Sequence, residues 1–210
     1  MFDVERILLT DPDDPKIREV TTRMSRYVCN LENDQERLTE KAYLVETKIP
    51  IVFNRHTPDK VTSQKHIYLI TNLEKDGSKI FLVPGVIALI MFLKKEGMNE
   101  DTAKTAQKHF LNYFTKRING AYPDGNDLLI NNKKLMGMTI MYNNLYDTVA
   151  VRFMLTMTTE YIPTLEDDLS DKKYIGIGGV CEETDLTEED IREMANDFIN
   201  EVINWRPENE

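Results

Sequence analysis

Lys134 and Gly137 stand three residues apart in the stretch Gly125-Asn126-Asp127-Leu128-Leu129-Ile130-Asn131-Asn132-Lys133-Lys134-Leu135-Met136-Gly137-Met138. A lysine brings a flexible point charge with three donors, suited to an anionic ligand. A glycine in a strand leaves a gap where a ligand can approach the backbone. Asn131-Asn132 reads as the centre of a tight hairpin turn, because Asn tolerates the left-handed conformation such turns require. The stretch therefore predicts a strand, a two-residue turn and a return strand that carries Lys134 and Gly137, and it suits a small anionic molecule. The alternative is a solvent-facing lysine after a turn, which is where most lysines lie.

Other candidate groups are weaker. Gly176-Ile177-Gly178-Gly179 lacks the Gly-Lys-Ser/Thr of a phosphate loop, and the next helix is expected only at Glu188, so it reads as a strand with bulges or close backbone packing. Glu166, Asp167, Asp168 and Asp171 lack the glycine and spacing of a calcium loop and read as a solvated loop. Cys181 has no histidine near it in sequence to activate it as a nucleophile. No metal site is expected from two cysteines and three scattered histidines. Arg55-His56 follows an apolar run and is a second, weaker candidate for facing a ligand.

The elements that must position these residues follow from hydrophobic periodicity. Val4–Thr10 reads as a strand, and Asp14-Pro15 opens a helix of about four turns through Leu31. Leu38 to Arg55 leans towards strand, with Pro50 at an edge or bulge. His66–Asn72 and Lys79–Val83 predict a hairpin around Lys75-Asp76-Gly77-Ser78. Pro84 then opens a strongly apolar helix over Val86–Lys95, ended by Gly97. A second helix is expected from about Glu100 to Ile118, and a long strand over Thr148–Met157. Tyr174 to Val180 reads as a short strand. In the last helix Thr187 caps, Asp190 completes a capping box and Leu186 with Ile191 forms a hydrophobic staple. Strands in neighbouring pairs, mixed with helices, predict an α+β fold with a mixed, mainly antiparallel central sheet flanked by helices. The 210 residues suit a single domain, 1–210.

Net charge is −10, and the whole excess lies at the end: residues 160–210 hold 16 acids and 4 bases, residues 1–159 hold 20 acids and 22 bases. Such an acidic segment argues against nucleic acid as a partner. The apolar run Val86 to Leu93 is too short to span a bilayer, and the first residues lack the basic start and apolar core of a secretion signal, so no membrane partner is expected. The two cysteines point to a reducing cytoplasm.

The order of an apolar helix, a second helix, the Asn126-Asp127 hairpin and a long apolar strand resembles the biotin/lipoate protein ligase superfamily. The pattern there is Asn-Asp, an apolar strand, a turn and Lys-x-x-Gly-x-Ala; Asn126, Asp127, Lys134 and Gly137 match, and Thr139 replaces the alanine. The resemblance covers about residues 40–205. It implies a carboxylic acid ligand (lipoate, octanoate or biotin, with ATP) bound as the acid or its adenylate, and transfer of the acyl group to a lysine on a carrier domain. It makes Lys134 the catalytic group at the acyl carbonyl and phosphate, gives Gly137 the acyl chain, has Asp127 support Lys134 or a magnesium ion, and has Asn126 anchor the turn. The family's Arg-Arg-x-x-Gly-Gly-Gly loop has no counterpart: residues 66–83 contain only Gly77 and no arginine. The alternative is a degenerate, non-catalytic relative that acts as a protein-interaction module.

Overall fold

The computed structural model describes residues 2–11, 13–17, 19, 40–54, 60–64, 67–71, 79–143, 147–161 and 176–206. In chain order the elements are β1 (Asp3–Leu9), β2 (Lys41–Thr47), β3 (Ile51–Asn54), β4 (Lys60–Gln64), β5 (Ile67–Thr71), β6 (Lys79–Leu82), β7 (Val86–Lys94), α1 (Glu100–Thr115), β8 (Tyr122–Asp124), β9 (Asp127–Ile130), β10 (Lys133–Asn143), β11 (Thr148–Thr156), β12 (Gly176–Ile177), α2 (Val180–Glu183) and α3 (Glu188–Asn204). The large sheet runs β1-β2-β7-β11-β10-β9-β8, with β12 added to β10. Among the described residues of this sheet, β1 with β2 and β12 with β10 are parallel and the other pairs are antiparallel. The fold is thus α+β with a mixed, mainly antiparallel sheet, as the sequence predicts.

Val86–Lys94 is a strand, and the predicted apolar helix is a misreading. This strand, β7, sits between β2 and β11 in the middle of the sheet. Ile87, Leu89, Met91 and Leu93 enter the core that holds α1 and α3, whereas Val86, Ala88, Ile90 and Phe92 enter a second core on the opposite face. A strand buried on both faces is apolar at every position, so its period of two is invisible in the sequence.

The predicted hairpin of His66–Asn72 with Lys79–Val83 is also not formed. The second sheet runs β4-β5-β3-β6, so β3 lies between the two expected partners, parallel to β5 and antiparallel to β6. The antiparallel neighbour of β5 is β4, whose sequence Lys-Val-Thr-Ser-Gln has a single apolar residue and so gives no strand signal. The helix expected after Asp14-Pro15 lies mostly outside the described residues.

Between the helices and the large sheet, Phe110, Tyr113 and Phe114 of α1 meet Phe198 of α3 and Phe153 of β11, with ring centroids 4.9–5.5 Å apart. Such tilted and edge-on pairs add to the area they bury. Tyr113 keeps its hydroxyl satisfied on the Met194 carbonyl at 3.1 Å. Both helices start where the sequence marks them: Asn99 and Thr102 close a capping box on α1, and Thr187 and Asp190 close the predicted one on α3.

Candidate ligand-binding site

The site is built on β9, β10 and the segment that docks against them. Asn131 and Asn132 both have positive φ, 50° and 61°, as a two-residue hairpin turn of the I′ kind requires. Asn126 is exposed, in a second two-residue turn after Gly125, between β8 and β9, and its carbonyl accepts the Met138 N–H at 2.8 Å. That earlier hairpin, β8 with β9, is absent from the sequence reading.

In a regular strand, residues three apart point to opposite faces. Lys134 and Gly137 nevertheless share one face, because β10 is bulged. Lys134 lies opposite Leu129 and Met136 opposite Leu128, which leaves Leu135 as an extra residue. Leu135 and Met136 are both buried in the core beneath the helices. Lys134 is thereby turned to the other face, beside Gly137.

There the Lys134 ammonium donates to Asp127 Oδ1 at 2.6 Å, and Asp127 lies directly across the ladder from Gly137. A Cβ on Gly137 would lie 3.1 Å from Lys134 Nζ and 3.2 Å from Asp127 Oδ1. The absent side chain is what lets this ion pair lie flat on the strand. Both partners are largely shielded from water, with side-chain exposures of 24% and 14%. The charge is thus held in place at a spot where the backbone is bare, an arrangement that can receive an oxyanion.

A second carboxylate holds the neighbouring lysine. Glu183 of α2 accepts from Lys133 Nζ at 2.5 Å and from Asn131 Nδ2 at 3.0 Å. These two hydrogen bonds hold the Glu183 carboxyl below its usual range. On the strand edge, β12 pairs with Lys133 and Lys134, and the Gly178 N–H donates to the Lys134 carbonyl at 3.0 Å. A Cβ on Gly179 would fall 2.8 Å from the Met157 carbonyl oxygen, so that glycine serves close backbone packing, as its sequence reading holds. The described strand in this segment is shorter than predicted, and the helix expected at Glu188 is preceded by the single turn of α2 from Val180. Glu183 lies some fifty residues from its partners, and no local pattern marks it.

Cys181 is half-buried, and burial, then the carboxylates of Glu188 and Glu182, push its thiol pKa up. A thiol held protonated is a poor nucleophile. His109 is engaged with Glu201 on α3 at 2.6 Å. Arg55, His56 and the acidic cluster 166–171 lie outside the described residues. Among the described residues no group of three or more His, Cys, Asp or Glu side chains is placed to hold a metal ion, and no helix is long and apolar enough to cross a membrane.

No protein-family model and no curated protein matches this sequence. Solved structures do. A bi-partite lipoate protein ligase from Thermoplasma acidophilum, described with its E2 lipoyl domain, superposes with a TM-score of 0.62 at 11% identity over 97% of this chain and 84% of that one. The chain has the lipoate/biotin protein ligase fold. A lipoate-protein ligase A bound with ATP matches at a TM-score of 0.59 and 11% identity, covering 100% and 89% of the two chains. The biotin protein ligase of Aquifex aeolicus in complex with biotin and ATP matches at 0.52 and 10%, covering 100% and 74%. On this ligase fold the bulged strand with Lys134 and Gly137 faces away from α1 and α3, on the side of the second core that Ile51 of β3 and Leu82 of β6 help to form.

Proposed function

We propose that this chain binds a carboxylic acid of the lipoate, octanoate or biotin kind, as the free acid or its adenylate, and passes the acyl group to a lysine on a carrier domain. The observation that supports this reading is the bulge that sets the Lys134 ammonium over the bare backbone of Gly137. Lys134 is the group that meets the acyl carbonyl and phosphate oxygens and stabilises charge developing there. Asp127 fixes its direction, Gly137 leaves the space for the acyl chain, and Asn126 holds the turn that starts β9. Arg55 is a further ligand contact in this reading. ATP supplies the activating nucleotide, and the carrier domain is the protein partner, as the E2 lipoyl domain accompanies the Thermoplasma ligase. A soluble, cytoplasmic setting is part of the same proposal.

A second reading, a non-catalytic module that keeps the fold and binds a protein, is favoured by one observation: residues 66–83 carry one glycine and no arginine. Backbone N–H groups of glycine-rich loops are what usually cradle phosphates. Calorimetric titration with lipoate, octanoate and biotin, with and without ATP, separates the two. The ligase reading expects binding that Lys134→Ala weakens by roughly tenfold, the loss of one charge-assisted contact. Absence of binding by every acid, alone and with ATP, refutes it. Capture of one specific protein that persists in Lys134→Ala then supports the second reading.

A further inference from the structure

Lys95 follows the last residue of β7 and is almost wholly buried, at 7% exposure. Its ammonium donates to the carbonyls of Trp205 and, at 3.4 Å, Ile203, at the end of α3, and stands 5.7 Å from the Trp205 ring centre. Arg206 Nη1 donates to the same two carbonyls, at 2.6 Å to Ile203 and 2.9 Å to Trp205. Two cationic head groups therefore converge on one pair of neutral oxygens. Among the described residues neither makes an ion pair with a carboxylate. The nearby acid, Glu40, accepts the Lys94 N–H at 3.2 Å and acts on Lys95 only through space. Burial first, then the Arg206 charge, pulls the Lys95 pKa down to about 8, and Glu40 offsets part of this.

Helix carbonyls at a C-terminus favour one cation. They are neutral, and a buried ammonium that makes no direct ion pair is costly. Lys95 and Arg206 line a cavity of about 460 Å³ together with Lys94, the acid Glu40 and the apolar residues Phe2, Leu93 and Ile203. That space is large enough for a small organic molecule.

We infer that this cavity, at the far end of β7 and α3, is a binding site for a small oxyanion, a carboxylate or phosphate group carried on a compact apolar body, held between Lys95 and Arg206. The site does not involve Lys134 and stands or falls independently of the ligase reading. Among the described residues three basic groups, Lys94, Lys95 and Arg206, face the single acid Glu40 at this cavity, so an anion offsets the excess positive charge, and the apolar wall accommodates the rest of the molecule.

The test is an NMR titration of the full chain, labelled in its lysine side chains, with inorganic phosphate and separately with hexanoate. The Lys95 signals are expected to move with saturation in the millimolar range for at least one probe, and the bound anion raises the Lys95 pKa. Hexanoate binding more tightly than phosphate assigns a carboxylate with an apolar tail; the reverse order assigns a phosphate. Arg206→Gln, at an exposed position, is expected to weaken binding at least tenfold, while Lys134→Ala leaves it unchanged. No shift of the Lys95 signals with either probe at 10 mM overturns the inference, as does binding that survives Arg206→Gln in a folded protein.

Discussion

Gly137→Ala separates a glycine kept for a ligand from one kept for the fold. The backbone of Gly137 is not among the positive-φ residues, so alanine meets no conformational penalty there. It gains instead about 0.5–1 kcal/mol from the reduced freedom of the unfolded chain. Against this, the new methyl would lie 3.1 Å and 3.3 Å from Lys134 Nζ and Cε, and 3.2 Å from Asp127 Oδ1. These are the far ends of side chains that can give by a few tenths of an ångström, so the expected cost is of the same order, about 1 kcal/mol. Stability is then expected to change by no more than about 1 kcal/mol, which for a chain of this size shifts the melting temperature by only about 2–4 °C. Affinity behaves differently. The methyl fills the gap assigned to the acyl chain and moves the ammonium, and displacements of this kind cost up to about a hundredfold where geometry must be held. A loss of at least roughly tenfold, about 1.4 kcal/mol, is the expected result. Differential scanning calorimetry with isothermal titration of lipoate and octanoate reads both quantities on one sample. A melting temperature lowered by much more than about 4 °C makes Gly137 structural, and unchanged affinity in a folded variant removes it from the site.

Two pH dependences follow from the charged groups. Lys95 sits at about 8 in the folded protein against 10.5 as a free lysine, so between those values the unfolded chain binds more protons and stability rises with pH, by at most about 3 kcal/mol. Lys95→Met is expected to flatten this rise in urea melts at pH 7.5 to 10, read in a Cys181→Ala background because the raised thiol pKa of Cys181 acts in the opposite sense above pH 9; a slope unchanged by Lys95→Met refutes the assignment. Glu5 is held at about 2 by hydrogen bonds from Lys16 and Lys41, so its contribution is present above pH 4.5 and is lost as pH falls towards 2. Glu5→Gln is expected to be less stable than the parent at pH 6 and to converge with it at pH 2, measured by acid titration of the circular dichroism signal; parallel curves would contradict the pairing.

What the sequence made legible was local. Asn131-Asn132 shows its turn because the required backbone is a property of those two residues, and Thr187 with Asp190 shows its cap because both partners lie within one helical turn. What it concealed depends on distant partners. β7 looks like a buried helix until β2 and β11 are placed beside it and apolar residues are seen to be needed on both of its faces. The pairing of β5 with β3 and β4, rather than β6, rests on backbone registers between segments whose own composition gives no preference. Lys134 and Gly137 can be picked out by residue type, but their shared face cannot, because the bulge exists only relative to β9. Glu183 and Lys95 are found only once α2 and α3 are packed on the sheet.

The bulge also has an energetic reason, and it ties the candidate site to the core. In an unbulged β10, Leu135 and Met136 would face opposite sides, and one would leave the core under α1 and α3. With the extra residue both are buried, at 0% and 1% exposure. Burying one such side chain contributes about 1.5–3 kcal/mol, whereas an interrupted ladder hydrogen bond costs about 0.5–1.5 kcal/mol. The apolar pair wins that comparison, and Lys134 is carried to the Gly137 face as a consequence. The orientation of the candidate catalytic lysine is thus set by the two residues that follow it: the same burial of Leu135 and Met136 that stabilises the core points the ammonium at Asp127.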